Sequence, residues 1–309
     1  MIQLREQERN VSVKTLCSLF GKTRHAYYNH LWHLEHTVLI QDIVLQEIAL
    51  IRKELPALGT RKLHFKLKAP LLEHQISVGK DYLFDLLSSQ GMLIKKRRRR
   101  STTTNSNHWM KKYDNLIAEI EINRPEQVWV SDITYLRRNN HFVYLSLITD
   151  VYSHQVMGYQ VQNDLSAEGC IGALKMALWK RTTSFLPLIH HSDRGAQYCS
   201  KAYVEILMDD HIAISMTQNG DPYENAIAER MNGILKTEFA IEDNKGSMAL
   251  LKLKIDQAIY AYNHLRPHDS CGSLTPVQAH QKTGILHKNW KNYRKLRWER
   301  KKMEIKNTS

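Results

Sequence analysis

The sequence predicts an α/β protein, a mixed-sheet core preceded by all-α units. Three observations predict it. Up to about residue 94, apolar residues recur at helical spacing in short capped segments. After Pro125 the period changes to the alternation of strands. Between the two, Lys95-Lys-Arg-Arg-Arg-Arg100 runs into Ser101-Thr-Thr-Thr-Asn-Ser-Asn107, polar residues that cannot build a core.

The elements follow in order. Ser12 is placed to cap a helix from Val13 to Phe20, which Gly21-Lys22-Thr23 breaks. Thr23 then caps a second helix carrying Tyr27, Tyr28 and Leu31, so the pair reads as a helix-turn-helix. A second such unit comprises Gln41–Leu55, Thr60–Lys68 and Asp81–Ser89, the last capped by Ser77 and stopped by Gly91. Tyr82, Phe84, Leu86 and Leu87 are its expected core. His30, His33 and His36 recur every three residues but have no cysteine nearby, and read as surface histidines.

In the core, Gln127–Leu136 places Val128, Val130, Asp132 and Thr134 on one strand face, with Trp129, Ile133 and Tyr135 on the other. His141–Thr149 and Gln155–Val161 continue it as a meander. Leu165–Arg181 is helical, and Leu186–His190 is a buried strand that delivers Asp193 just beyond its carboxyl end. A helix from Ser200 to Met208, a strand over Ile212–Met216 and a turn at Asn219-Gly-Asp-Pro222 lead to a helix over Glu224–Phe239. The domain layout is therefore 1–36 and 37–94 as helical units, 95–124 as a basic linker, 125–284 as the core and 285–309 as a tail.

Charge separates these parts. The 309 residues hold 44 Lys+Arg against 31 Asp+Glu, net +13. Residues 1–124 carry net +9 and residues 285–309 net +7, while 125–284 are net −3. Such an excess points to a polyanionic partner, and Lys95, Lys96, Arg97, Arg98, Arg99 and Arg100 form a strip suited to a phosphate backbone. No apolar run approaches the ~18 residues of a membrane span, and the first residues lack the apolar stretch of a secretory signal. The expected location is cytoplasmic. Four scattered cysteines, with no C-x-x-C pair, argue against a disulfide framework or a thiolate zinc site.

At ~100° per residue, Asn225, Glu229, Asn232 and Lys236 form one polar stripe of the last core helix, opposite Ile227, Met231, Ile234 and Leu235. Glu238 lies ~900° on from Glu229, on the far side. Strand, strand and helix can thus bring Asp132, Asp193 and Glu229 to one point. Three carboxylates suit phosphodiester chemistry, where two Mg²⁺ ions about 3.5–4 Å apart clamp an in-line displacement. Mg²⁺ prefers carboxylate oxygens and retained waters.

Trp129-Val-Ser-Asp132-Ile-Thr-Tyr, His191-Ser-Asp193-Arg-Gly-Ala-Gln-Tyr-Cys-Ser200 and Asn225-Ala-Ile-Ala-Glu229-Arg-Met-Asn-Gly-Ile-Leu-Lys-Thr-Glu238 resemble the acid blocks of integrase-core (DDE) transposases. The chain is most similar to the second-frame (OrfB-type) product of the insertion-sequence-three family. Asp193 and Glu229 are separated by 35 residues, as in the D-35-E motif. Tyr262-Asn263-His-Leu-Arg266-Pro267-His268 with Leu274-Thr-Pro276 resembles the family's C-terminal signature, so the likeness covers nearly the whole chain. Glu224 stands where many relatives carry Asp, and Leu58-Gly-Thr-Arg61 lacks a Tyr frequent after the Gly.

The resemblance implies a ribonuclease-H-like core and Mg²⁺ or Mn²⁺ dependence, with two ions expected once DNA is bound. It implies cleavage of donor element ends and strand transfer into target DNA. Asp132, Asp193 and Glu229 would be both catalytic and metal-binding, with Lys236, Arg194 and Asn225 among the DNA contacts. The partners implied are double-stranded DNA (terminal inverted repeats and target), further copies of the chain in a synaptic complex, and an upstream-frame helix-turn-helix product by association or fusion. A nucleoid-associated cytoplasmic location goes with these. The alternatives are a non-catalytic DNA-binding relative, which the three intact acids oppose, and a general nuclease, which the helix-turn-helix units and the tail with Trp290, Tyr293 and Trp298 oppose.

Overall fold

The computed structural model describes residues 10–94, 109–118, 120–218 and 225–290. The run Lys95–Arg100, the turn Asn219–Pro222, Glu224, Tyr293 and Trp298 lie outside the described residues. Two compact units emerge, one of residues 1–53 with 59–94, the other of 54–58 with 95–309.

The first unit is all helical. Helix α1 (Val13–Leu19) starts at Ser12, whose hydroxyl accepts the Thr15 N–H at 3.1 Å. Gly21 turns the chain at φ +61°, and Thr23 Oγ1 accepts the Ala26 N–H to open α2 (Arg24–Glu54). The two helices expected over residues 24–31 and 41–55 are a single one of 31 residues. No Gly or Pro interrupts Arg24–Glu54, so nothing in the backbone chemistry stops it. It runs across residues 36 and 37. Helix α3 (Thr60–Glu73) continues past Lys68 to include Pro70. Helix α4 (Lys80–Ser89) begins at Gly79 rather than from a Ser77 cap. Leu16, Tyr27, Val44, Ile48, Leu63, Leu67, Leu71, Leu83, Leu86 and Leu87 are among the unit's buried apolar residues. Leu83 takes the core position expected of Phe84, which is partly exposed. His30, His33 and His36 are all exposed, and Trp32 stacks on His36.

The second unit is built on one mixed sheet. Strands β1 (Val128–Arg138), β2 (His141–Asp150) and β3 (Val156–Gln162) form the expected antiparallel meander. Helix α5 (Ala167–Lys180) crosses over to β4 (Ile189–Ser192), which pairs parallel with β1. Helices α6 (Ala196–Cys199) and α7 (Lys201–Asp209) precede β5 (Ala213–Met216), parallel to β4. The order is β3-β2-β1-β4-β5, and a short β6 (Asp243–Asn244) pairs with the far end of β1. Helix α8 (Ala226–Glu238), helix α9 (Met248–His264) and helix α10 (Pro276–His280) complete it. Antiparallel meander followed by parallel strands is the ribonuclease-H-like arrangement. No helix among the described residues is long and apolar enough to cross a membrane.

Helices cover the sheet, so strand alternation is masked by burial: the first four residues of β1 are all buried. Trp129, Ile148, Met157, Leu174, Tyr198 and Leu207 belong to one core cluster. Helix α5 lies so close to β3 that a Cβ at Gly158 would meet the Ala173 carbonyl at 1.9 Å. Part of the stretch 109–118 belongs to this packing: Met110 and Tyr113 rest on the cluster, and the Leu116 N–H donates to Ser215 Oγ.

The C-terminal signature residues hold the fold together. Asn263 makes two hydrogen bonds to the Val156 backbone, at 2.9 and 3.1 Å. Arg266, 1% exposed, donates twice to Glu238, both at 2.7 Å. Thr275 and Gln278 form a capping box for α10 with Pro276 at its start. At the end of that helix, His280 reaches Ser153 Oγ (2.9 Å) and Glu126 Oε1 (3.4 Å), both buried.

Candidate active site

The parallel pairing of β1 with β4 runs from Val128 opposite Ile189 to Ser131 opposite Ser192. The next residue on each chain is an acid, so the register sets Asp132 beside Asp193. Asp132 remains within β1, opposite Leu147 of β2. Asp193 leaves the sheet, and its Oδ1 accepts the Gly195 N–H at 2.9 Å to turn the chain into α6. A Cβ at residue 195 would sit 2.9 Å from that same oxygen, so a side chain there would press on the Asp193 carboxylate.

Helix α8 carries the third acid and is fastened to β1 on either side of it. The Asn225 amide donates to the Ser131 carbonyl at 3.1 Å, and the Asn232 amide donates to Asp132 Oδ2 at 2.6 Å. Residues 225 and 232 are two turns apart on one stripe, and Glu229 lies between them. Both asparagines are buried, Glu229 is exposed and Lys236 is half-buried. Within the stripe Asn225, Glu229, Asn232, Lys236, the two asparagines are the residues bonded to β1. Glu229 also sits in the first turn of its helix, where a carboxylate opposes the positive helix end.

The electrostatics tie these groups together. Burial pushes the Asp132 carboxyl up to about 7, the charge of Asp193 adds to this, and Glu229 contributes least. Hydrogen bonds from the Ile133 N–H and the Asn232 amide work against the rise. Burial lowers the Lys236 ammonium, while Glu242 and Asp132 pull it back. Burial likewise raises the Tyr135 phenol, with Tyr144, Asp193 and Asp132 adding to it. Asp132 thus feels both other acids, and Lys236 and Tyr135 both feel Asp132. The charge of Arg194 is felt at Cys199, as is that of Lys112.

Sequence reasoning placed Asn232 on the right stripe and missed its bond to Asp132. The signal was available, since an amide seven residues from Asn225 must face the same strand. Ser131 was also missed; its hydroxyl donates to Tyr198 at 3.0 Å, within the core below the acids.

A mixed sheet with one acid on its central strand, a second just past the end of the neighbouring parallel strand, and a third on a helix fastened to the central strand is the arrangement of an integrase-type core. Two family models described as integrase core domain match residues 122–222 and 210–276. An uncharacterized 31 kDa protein of insertion element IS600 from Shigella sonnei is 32% identical over 275 residues, covering 86% of this chain and 98% of that protein. The transposase InsF of insertion sequence IS3A from Escherichia coli K12 is 33% identical over 198 residues, 63% of this chain and 68% of its own. Among solved structures, the HTLV-2 integrase catalytic core domain in complex with magnesium matches 51% of this chain and 98% of its own, at 21% identity and a TM-score of 0.41. The chain belongs to the insertion-sequence-three family of integrase-core transposases.

Proposed function

We propose that this chain moves an insertion sequence by metal-dependent cleavage of the element's ends and strand transfer into target DNA, with Asp132, Asp193 and Glu229 as the catalytic acids. The observation that carries the reading is the parallel register of β1 against β4, which sets Asp132 beside Asp193, with Glu229 on the helix bonded to β1 through Asn225 and Asn232. Burial and the charge of Asp193 push the Asp132 carboxyl up, to about 7, and a divalent cation suits such a group of hard oxygen donors. Each oxygen of Asp132 accepts one hydrogen bond and keeps acceptor capacity. The amide oxygens of Asn225 and Asn232 are buried without a hydrogen-bond partner, and would satisfy waters of a hydrated ion. The donor set fits Mg²⁺ or Mn²⁺.

Asp132, Asp193 and Glu229 would hold such ions, which when bound would neutralise charge developing on the phosphodiester. The chain's own residues supply the geometry. Asn232 fixes the orientation of Asp132, and Asn225 holds α8 against β1 so that Glu229 faces the other acids. Lys236, one turn beyond Asn232, offers a cation to the DNA end, with Arg194 and the run Lys95–Arg100 as further phosphate contacts. The helical segments 1–36 and 37–94 and the tail 285–309 grip DNA, and joining two ends calls for more than one copy. An upstream-frame partner and a nucleoid location accompany this reading.

Cleavage of end-containing DNA in Mg²⁺ tests it. Asp193→Asn should lose activity by at least about a thousandfold, some 4 kcal/mol of transition-state stabilisation, while still binding DNA. Equal activity in that variant would remove the proposed site. Binding without Mg²⁺-dependent cleavage in the unaltered chain would instead identify a non-catalytic relative.

A further inference from the structure

Away from the acids, His154, His268 and Cys271 bring two imidazole nitrogens and a sulfur all within 4.8 Å of one another. His154 lies in the turn between β2 and β3, at φ +60°. His268 follows Arg266 and Pro267 beyond the end of α9, and Cys271 closes the single 3-10 turn Asp269–Cys271. The two sides are already tied by the Cys271 thiol, which donates to the Ser153 carbonyl at 3.5 Å, while within the turn the His154 backbone N–H donates to the Asp150 carbonyl at 2.9 Å. The two imidazoles stack, with centroids 4.3 Å apart and planes 14° from parallel.

We propose that His154, His268 and Cys271 form a binding site for a thiophilic divalent ion, Zn²⁺ in the first instance, that clamps the β2–β3 turn to the C-terminal segment. The donors decide the class of ion. Two imidazoles and a thiolate favour Zn²⁺ and disfavour Mg²⁺, the reverse of the three carboxylates. Donors around a tetrahedral zinc sit about 3.5 Å apart, so spans of up to 4.8 Å close with a small inward movement. The near-parallel rings must swing apart at one edge so that their in-plane lone pairs meet on the ion. Burial lowers the His154 imidazole and pushes the Cys271 thiol up to about 12. The charge of Asp150 is felt at both groups and favours a cation, Lys288 favours the thiolate, and Lys288 and Arg266 oppose a charge at His154, so the donor geometry carries the site. Binding releases the thiol proton to solvent as the S–Zn bond forms, and water takes the fourth position. No local motif marks the site, because 113 residues separate the first two ligands and no C-x-x-C pair marks the third.

The probe is Co²⁺, added to the reduced, metal-stripped full chain with Mg²⁺ in excess. One equivalent should produce a near-ultraviolet thiolate-to-cobalt absorption that Zn²⁺ displaces, and Zn²⁺ should raise the melting temperature. Cys271→Ser should lose both effects, as should His154→Asn, which tolerates the left-handed backbone. Asp193→Asn should keep both, which separates this site from the acids. No absorption in the unaltered chain overturns the proposal. So does an absorption that survives Cys271→Ser, since it would come from Cys17, Cys170 or Cys199.

Discussion

Both oxygens of Asp132 are occupied, one by the N–H of its own neighbour Ile133 and one by the Asn232 amide across the strand–helix contact. The second bond is the more informative, because it crosses from the element carrying one acid to the element carrying another. Asn232→Ala should leave α8 in place, since Asn225, Met231 and Leu235 still hold it. It should loosen the Asp132 carboxyl and weaken Mg²⁺ by about 10- to 100-fold, the usual cost of removing a ligand's hydrogen-bond partner. A Mg²⁺ titration of end cleavage reads this as a shifted midpoint with much of the rate restored at high Mg²⁺. An unchanged midpoint would mean that Asn232 only packs. Part of the candidate site is legible in the sequence, since helical angle alone puts Glu229 and Asn232 on one stripe. Which hydrogen bond each amide makes is not, because it depends on the depth at which the helix seats on β1.

At the scale of elements, α8 carries two acids with opposite fates. Glu229 lies, exposed, between the two asparagines bonded to β1, while Glu238 pairs with Arg266 beyond α9. Glu238→Ala would strand a guanidinium that is 1% exposed, a loss of about 3 kcal/mol. Urea denaturation should show that loss, and cleavage at low temperature should survive; Glu229→Ala should do the reverse.

A second buried network joins α10 to the start of the core. Burial would lower His280, but hydrogen bonds and charges from Asp150 and Glu126 outweigh it and raise the imidazole to about 9. Burial would raise Glu126, but hydrogen bonds from His280, Thr183 and Thr182 bring it down to about 2. His280 therefore contributes stability that is complete below its ordinary 6.5 and is lost as pH rises through about 9. Glu126 contributes stability that is present above its ordinary 4.5 and is lost as pH falls toward 2. Unfolding free energy measured from pH 5.5 to 9.5 should fall across the upper range, and the fall should flatten in His280→Gln. A slope that persists in that variant would move its origin elsewhere.

For the whole molecule, the net charge of +13 is the sum of unlike parts, with the basic excess outside the core that holds the acids. If Lys95–Arg100 tracks phosphates, each contact contributes about 0.9 to the slope of log affinity against log salt. Replacing the six cations with Ser should make that slope shallower by about 3–5, read by DNA binding at several salt concentrations. No change in slope would take the run out of the interface. From Leu165 to Phe239 the main helices and strands were readable from period, caps and turn residues, and the five strands up to Met216 fell within a few residues of expectation, while α6, β6, α9 and α10 were not anticipated. The reading failed where no local signal exists. A helix without Gly or Pro between its halves was divided at residue 36, and Phe84 was preferred to Leu83 because a ten-residue segment leaves its buried face ambiguous.

The sequence by itself determined the class of fold, the three acids and the helix face that carries one of them, because periodicity and spacing are properties of the chain. Only the tertiary structure decided that Asp132 and Asp193 are neighbours, since that rests on the parallel register of β1 against β4. It also decided that Arg266 belongs to Glu238, and that His154 meets His268 and Cys271. Those contacts join residues far apart in sequence, and chain connectivity places no constraint on them until the sheet and its covering helices have closed.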